Sequence, residues 1–173
     1  LKKQLGPLWE LFVKDLQDFE VYAKKFLRIK DEYGNIVPFV LNNLQKKVFA
    51  VILDLDLRGL PIWIIVLKCR QTGISTLIEA YLFWRTHRES NQKCLIIGHE
   101  VESSQNLFDM YQRYYENLPA GIRPVMDRNQ RDKKLSYKET KNEVLIQTAG
   151  SNIGGEKAGT GRSATFQYIH ATE

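Results

Sequence analysis

Few cysteines and no long apolar run are the first features of this 173-residue chain. Its two cysteines, Cys69 and Cys94, have no metal-ligand spacing, so a zinc site is disfavoured and a reduced, cytoplasmic protein is favoured. The longest purely apolar stretch, residues 62–67, is far shorter than the roughly 20 residues that cross a bilayer. The first residues lack the apolar core of a secretion signal. The sequence therefore predicts no membrane partner.

Composition excludes several classes of chain. With 43% hydrophobic and 26% charged residues, the protein has neither the low hydrophobicity of a disordered chain nor the bias of a collagen-like or low-complexity one. Its 25 lysines and arginines exceed its 20 acidic residues, which gives a net charge of +5. This surplus permits a polyanionic partner such as nucleic acid, but solvated surface charges explain it equally well.

Hydrophobic periodicity predicts an α/β fold. Residues 7–27 have the pattern of an amphipathic helix with room for one break, and residues 28–37 that of a short hairpin turning at Gly34. Asn42 or Asn43 can cap a helix over 44–58, which Gly59 ends. The remaining predicted elements are strands at 62–68, 93–98, 143–148 and 166–171, and helices at 75–88 and 101–117. Because these strands are apolar without alternation, they predict a mostly parallel sheet buried on both faces.

The sharpest motif is KCRQTGIST, residues 68–76, which follows an apolar run and opens into a helix. A strand, a tight loop and a helix N-terminus aim backbone N–H groups at one point, where a phosphate can bind. In the pattern GxxxxGK[ST], the lysine position falls on Ile74, and Lys68 instead stands at the first position. The candidate nucleotide-binding residues in the loop are Arg70, Gln71, Thr72, Gly73, Ile74, Ser75 and Thr76.

Each charged or polar group in this loop has a predicted role. The long stem of Lys68 can bring its ammonium to the β- and γ-phosphates from the opposite end of the loop. Ser75 would place its hydroxyl on Mg²⁺, and Arg70 could supply a second cation. An ordinary strand-to-helix turn, closed by Gly73 and capped by Ser75, is the alternative.

Four ordered segments resemble the large terminase subunits, the DNA-packaging motors of tailed bacteriophages. Residues 68–76 are similar to that family's deviant Walker A motif, and residues 37–45, VPFVLNNLQ, to its adenine-recognition motif, which implies that Gln45 contacts the adenine edge. Residues 166–173 resemble the Walker B strand, with Glu173 at the catalytic glutamate and Thr172 in place of the aspartate that holds the Mg²⁺ shell. Residues 157–163 resemble the conserved-arginine segment, which implies that Arg162 is an arginine finger.

The resemblance implies a P-loop NTPase of the additional-strand, catalytic-glutamate type. Residues 1–36 would form an N-terminal helical lid segment, and residues 37–173 the ATPase core, with Lys68, Arg162 and Glu173 catalytic and ATP and Mg²⁺ as cofactors. Ser75 and Thr172 would hold Mg²⁺, Thr172 through water. Strands that follow Walker B in this fold would be absent, so the sheet is expected to be incomplete and the isolated residues poor at hydrolysis.

The resemblance also implies partners and a place of action. These are double-stranded DNA, a homo-oligomeric ring of this protein, expected to be a pentamer, the small terminase subunit and the portal protein, in the host cytoplasm. A C-terminal nuclease of RNase H-like fold is expected outside this chain. A superfamily 2 DNA helicase or translocase and a non-hydrolysing nucleotide-binding module are the alternatives. Two further expectations come from the residues themselves. The basic hairpin at 127–141 either contacts DNA phosphates or is a solvated surface hairpin. His87, beside Arg85 and Arg88, is expected to be a cation at the end of a helix.

Overall fold

The computed structural model describes residues 8–69, 71–129, 133–150 and 165–172. Within these ranges the chain forms five helices and seven strands. They are α1 (Leu8–Gln17), α2 (Phe19–Phe26), β1 (Arg28–Lys30), β2 (Ile36–Pro38), α3 (Asn43–Leu57), α4 (Ile74–Arg88), β3 (Lys93–Gly98), α5 (Val101–Glu116), β4 (Met126–Asn129), β5 (Lys134–Tyr137), β6 (Asn142–Thr148) and β7 (Tyr168–Thr172). No helix in these ranges is long and apolar enough to span a bilayer.

A five-stranded sheet, in the order β4-β5-β6-β3-β7, forms the centre of the fold. Strands β6, β3 and β7 are parallel, whereas β4, β5 and β6 pair antiparallel. The predicted α/β class is therefore confirmed, but the sheet is mixed, and only three of its five strands follow the predicted parallel arrangement. The glycine-rich segment that precedes β7, with Arg162, lies outside the described residues.

The N-terminal elements follow the sequence predictions closely. The predicted helix over 7–27 is broken at Asp18, whose carboxylate caps α2 by accepting a hydrogen bond from Val21 N at 3.1 Å. The hairpin of β1 and β2 turns through Gly34, where φ is +89°. Of the two predicted caps, Asn42 caps the start of helix α3, and it does so in a capping box with Gln45. Local capping and turn chemistry thus determine where these elements begin and end.

Aromatic side chains of α2, α3, α4 and α5 form one hydrophobic core with β3 and β6. Phe19 of α2 packs against Trp84 of α4 with ring centroids 5.5 Å apart. On the other side of α4, Phe83 meets Tyr111 of α5 edge to face at 5.1 Å. Helix α4 is therefore buried between the N-terminal helices and α5.

The predicted strand at 62–68 is wrong. Residues 61–69 belong to no helix or strand that the structure describes, and the described sheet ends at β7. Trp63 is 89% exposed, and Ile65 and Leu67 are fully exposed. An apolar run predicts a buried strand only where neighbouring strands and helices cover it, and the sequence pattern does not reveal that cover. These residues form an irregular, exposed apolar segment that leads toward α4.

His87 also differs from its prediction as a helix-end cation. Its ring bridges two elements, with Nδ1 2.7 Å from Tyr22 Oη and Nε2 2.7 Å from the carbonyl oxygen of Ile122. Because a carbonyl only accepts, Nε2 carries a proton, and Nδ1 of the neutral ring accepts from the tyrosine hydroxyl. Burial lowers the pKa of His87, so the neutral form is favoured.

Candidate functional site

Three parallel strands end together at one edge of the sheet. Gly98 at the end of β3 is the register partner of Thr148 in β6 and of Thr172 in β7. The first turn of α4 reaches the same edge, because Ser75 contacts Thr172. In open α/β sheets, ligands bind in the crevice beyond the carboxyl ends of the strands. This edge is therefore the candidate site.

The loop enters α4 through two residues with positive φ. Gln71 has φ of +60°, and Gly73, which precedes the first helical residue, has φ of +74°. Gly73 has no side chain that could cap the helix, so no side chain at this position accepts a hydrogen bond from the first backbone N–H groups of α4. These N–H groups can therefore donate to a ligand. Amides at a helix N-terminus, together with the helix dipole, favour an anion such as phosphate.

The N-terminus of α3 braces this loop. Gln45 is 3% exposed, and its Nε2 donates to Gly73 O at 2.7 Å while its Oε1 accepts from Asn42 N at 2.8 Å. Asn42 Nδ2 donates to Thr72 O at 3.3 Å. A Cβ on Gly73 would lie 2.7 Å from Gln45 Nε2, so only glycine allows this approach. The predicted contact of Gln45 with adenine stays a prediction, while the structure gives its amide a direct role in holding the loop.

Ser75 and Thr172 bring the two predicted motifs together. Ser75 Oγ lies 3.0 Å from Thr172 Oγ1, although the residues are 97 positions apart in the chain. Ser75 belongs to the first turn of α4, and Thr172 is the last residue of β7. The two residues predicted to hold Mg²⁺ are thus neighbours across the site. Their hydroxyls are neutral donors of a kind that suits a hydrated Mg²⁺, whose charge phosphate oxygens would balance.

A buried pair lies one helical turn further along α4. Glu79 is fully buried, and its Oε1 lies 2.6 Å from His170 Nδ1 of β7. Burial raises the pKa of the Glu79 carboxyl, and the hydrogen bond from His170 acts against that shift. The second oxygen, Glu79 Oε2, has no partner among the described residues. A buried carboxylate oxygen without a partner is costly, so this pair calls for an explanation.

Of the other predicted site residues, the structure describes some and leaves three outside the described residues. Lys68 is exposed near the end of the irregular apolar segment, and Cys69, the residue after it, is exposed as well. Thr72 Oγ1 donates weakly to Cys69 O at 3.4 Å, Ile74 is buried, and Thr76 O accepts from Tyr114 Oη at 3.3 Å. The predicted residues Arg70, Arg162 and Glu173 lie outside the described residues. The roles predicted for these three residues stay predictions.

Several residues at this edge were not predicted from the sequence to belong to the site. His99 directly follows β3, and its ring contacts Glu100, with Nε2 3.3 Å from Oε1, and Ser103, with Nδ1 3.2 Å from Oγ. The only sequence signal for His99, Glu100 and Ser103 is that they follow a strand whose carboxyl end faces the site. Glu79 and His170 gave no local signal, because a glutamate in a helix and a histidine in a strand have many ordinary uses.

The basic hairpin lies at the opposite side of the sheet from β7. Lys138 Nζ is 3.1 Å from Asp127 Oδ2, and Lys134 Nζ is 2.9 Å from Glu143 Oε1. Two of its lysines therefore already have acidic partners. Among the residues that the structure describes, no three His, Cys, Asp or Glu side chains cluster as a metal-ligand set.

Comparisons with known proteins concern the fold. No family model matches this sequence, and no curated protein matches it. The fold is similar to that of the large terminase of bacteriophage HK97, whose crystal structure aligns with a TM-score of 0.66 at 14% identity. The alignment covers 82% of this chain and 29% of the terminase chain, so this chain spans less than a third of that protein. The similarity supports a terminase-like α/β fold and assigns no residue a role.

Proposed function

We propose that this chain binds Mg²⁺ and ATP at the carboxyl edge of its sheet and is part of the ATP-hydrolysing motor of a terminase-like DNA-packaging machine. The observation that carries the proposal is the 3.0 Å contact between Ser75 Oγ and Thr172 Oγ1, which joins the first turn of α4 to the end of β7. The likeness to a phage large terminase supports the choice of machine.

The phosphate end of the nucleotide would lie at the N-terminus of α4. The uncapped amides after Gly73 offer donors, and the exposed Lys68 offers a mobile positive charge at the other end of the loop. Arg70, from within the loop, would add a second cation. Because Gln45 donates a hydrogen bond to the carbonyl oxygen of Gly73, the end of the loop is held in place before a ligand binds.

Ser75 and Thr172 would hold the metal on the same side. When bound, Mg²⁺ neutralises charge on the phosphate oxygens, which favours phosphoryl transfer to water. Thr172 would bind through a water molecule, since a hydroxyl brings no charge of its own. Glu173, the next residue, would orient the attacking water, and Arg162 would stabilise charge that develops on the transferred group.

The motor role adds partners to this chemistry. We place double-stranded DNA, a ring of copies of this protein, the small terminase subunit and the portal protein in that role, acting in the host cytoplasm. The net charge of +5 is compatible with DNA, but the fold is the stronger support. The helicase alternative shares most of the nucleotide site, so translocation into a procapsid is the assay that separates the two.

Thiol chemistry provides a direct binding test. Cys69 is exposed beside Lys68, whereas Cys94 is fully buried and burial raises the pKa of its thiol. Iodoacetamide should therefore label Cys69 and spare Cys94, which serves as an internal control. Mg²⁺ with ATP should slow the labelling of Cys69 in proportion to occupancy. Unchanged labelling at millimolar nucleotide would contradict the proposed site.

Matched variants test the residue roles. Lys68→Ala should weaken nucleotide binding about 10- to 100-fold, the effect of losing one charge-assisted contact, while the exposed Lys24→Ala on α2 should leave it unchanged. Glu173→Gln should retain binding but abolish DNA-stimulated hydrolysis in the intact natural protein. Tight binding without hydrolysis by the intact protein, with DNA and the small subunit present, would favour the non-hydrolysing module instead.

A further inference from the structure

Strand β7 lies against α4 through three polar contacts made by alternate residues. Tyr168 Oη donates to Glu89 Oε2 at 2.6 Å, His170 Nδ1 lies 2.6 Å from Glu79 Oε1, and Thr172 contacts Ser75. The contacts run in opposite chain directions, because residues later in β7 meet residues earlier in α4. The two contacts nearest the site, those of His170 and Thr172, therefore bear most directly on where the end of β7 lies along the helix.

The two contacts nearest the site have matching spacing. A four-residue step along α4, from Ser75 to Glu79, advances about 6 Å, and a two-residue step along β7, from Thr172 to His170, advances about 6.6 Å. Both pairs can therefore form at once in only one register. A one-residue shift of β7 would turn His170 to the opposite face of the sheet and away from Glu79.

Stability does not explain why this pair is buried. Glu79 is fully buried, and one of its oxygens lacks a partner among the described residues. An apolar side chain of similar size would pack at this place without that cost, and even a fully ionic buried pair would be weak evidence for stability. Polar pairs of this kind are best attested where they specify register.

We infer that Glu79 and His170 form a positioning pair, which fixes the register of β7 on α4 and thereby holds Thr172 Oγ1 beside Ser75 Oγ at the metal side of the site. The inference rests on the proposed function, because the site it positions is the proposed one. Glu79 lies one helical turn from Ser75, and His170 lies one strand repeat from Thr172. Neither residue needs to touch the nucleotide to act in this way.

Four variants separate the hydrogen bond from side-chain volume. Glu79→Leu and His170→Phe remove the bond and fill the space, whereas Glu79→Gln keeps an acceptor and His170→Asn keeps a donor near the Nδ1 position. Where the apolar variants fail to fold, His170→Gln serves instead, because it moves the side-chain N–H toward the Nε2 position. Tyr168→Phe is the matched control, since it breaks a contact of the same interface four residues from Thr172.

The first readout is the factor by which Mg²⁺ strengthens ATP binding, measured against binding in EDTA. Variants that break the bond should reduce this factor about 10- to 100-fold, the usual effect of losing a group that orients a metal ligand, with little change in EDTA. Glu79→Gln, His170→Asn and Tyr168→Phe should keep a factor close to that of the wild type. An equal loss in Tyr168→Phe, or equal losses with and without Mg²⁺, would show a general structural role and overturn the inference.

The second readout needs no nucleotide. In the free chain, the disrupting variants should speed amide hydrogen exchange at residues 171 and 172 about 10-fold, and Tyr168→Phe should not. Unchanged exchange there would overturn the positioning role even if nucleotide binds as proposed. A wild-type chain that shows no Mg²⁺-dependent binding would overturn the proposed function and this inference with it, so the two failures are distinguished.

Discussion

Replacing Gly73 with alanine measures how closely the loop approaches α3. Gly73 has φ of +74°, and a Cβ there would lie 2.7 Å from Gln45 Nε2. The left-handed backbone alone costs an L-residue about 1–2 kcal/mol. Displacing the Gln45 amide adds the loss of its two backbone hydrogen bonds, at about 1 kcal/mol each. We therefore expect Gly73→Ala to lower the free energy of unfolding by about 3–4 kcal/mol.

The chain offers a matched control for the strain. Gly59 has φ of +65°, and a Cβ there would meet nothing within 4 Å. Gly59→Ala should therefore cost about 1–2 kcal/mol, from the backbone alone. For a chain of this size, the difference of about 2 kcal/mol corresponds to a melting temperature about 4–8 °C lower in Gly73→Ala. Urea and thermal denaturation followed by circular dichroism measure both quantities.

A double variant identifies Gln45 as the partner. Gln45→Ala alone should cost about 2 kcal/mol, for the two hydrogen bonds. Adding it to Gly73→Ala should cost almost nothing more, because those bonds are already lost. Strict additivity would mean that the two residues do not interact. Equal losses in Gly73→Ala and Gly59→Ala would refute the close approach.

Two further predictions concern stability. Burial lowers the pKa of His87 in the folded chain, so as the pH falls the unfolded chain binds a proton at this histidine before the folded chain does. The contribution of neutral His87 to the free energy of unfolding should therefore be full above about pH 6.5 and should decrease as the pH drops toward the folded-state pKa. Urea denaturation at several pH values should show a shallower slope for His87→Gln, and an unchanged slope would assign the acid dependence to other groups. Asn142→Ala should lower the free energy of unfolding by about 2–4 kcal/mol, because the buried amide donates to Thr86 O and accepts from Gln92 N. The exposed Asn117→Ala should cost less than about 0.5 kcal/mol in the same assay, and similar losses would contradict this reasoning.

Local chemistry in the sequence predicted most of the elements. Strand β3 has the predicted ends, and α3 starts after Asn42, one of the two asparagines expected to cap it. The failure at residues 62–68 has a specific cause. Hydrophobicity indicates that a segment avoids water in its final surroundings, but pairing depends on a neighbour that the segment itself does not encode. Strands β4 and β5 correspond to the hairpin expected at 127–141, but the antiparallel pairing of β5 with β6, which makes the sheet mixed, was beyond a pattern of parallel βα units.

Part of the site was predictable, because a general rule places the carboxyl ends of parallel strands at one edge of the sheet. Ser75 follows a glycine loop and Thr172 ends a strand, so the rule for carboxyl edges places both on one side of a sheet. No comparable rule pairs Glu79 with His170, which are 91 residues apart. A contact between a helix side and a strand face depends on how the two elements pack, and only the folded structure reveals it.

Four of the six buried polar side chains among the described residues lie at the candidate site or on the nearest parts of the elements that form it, namely Gln45, Glu79, Ser104 and Gln147. Gln45 holds the carbonyl of Gly73, and Glu79 holds β7 through His170. Ser104 Oγ lies 2.9 Å from Thr148 Oγ1 of β6. A Cβ on Gly98 of β3 would lie 2.7 Å from Ser104 Oγ, so the end of β3 also lies close to this hydroxyl. The loop and the ends of β3, β6 and β7 are thus each fixed by a buried polar group. Such groups cost more to bury than apolar ones, so their presence at this edge is better explained by a site held ready for a ligand than by stability.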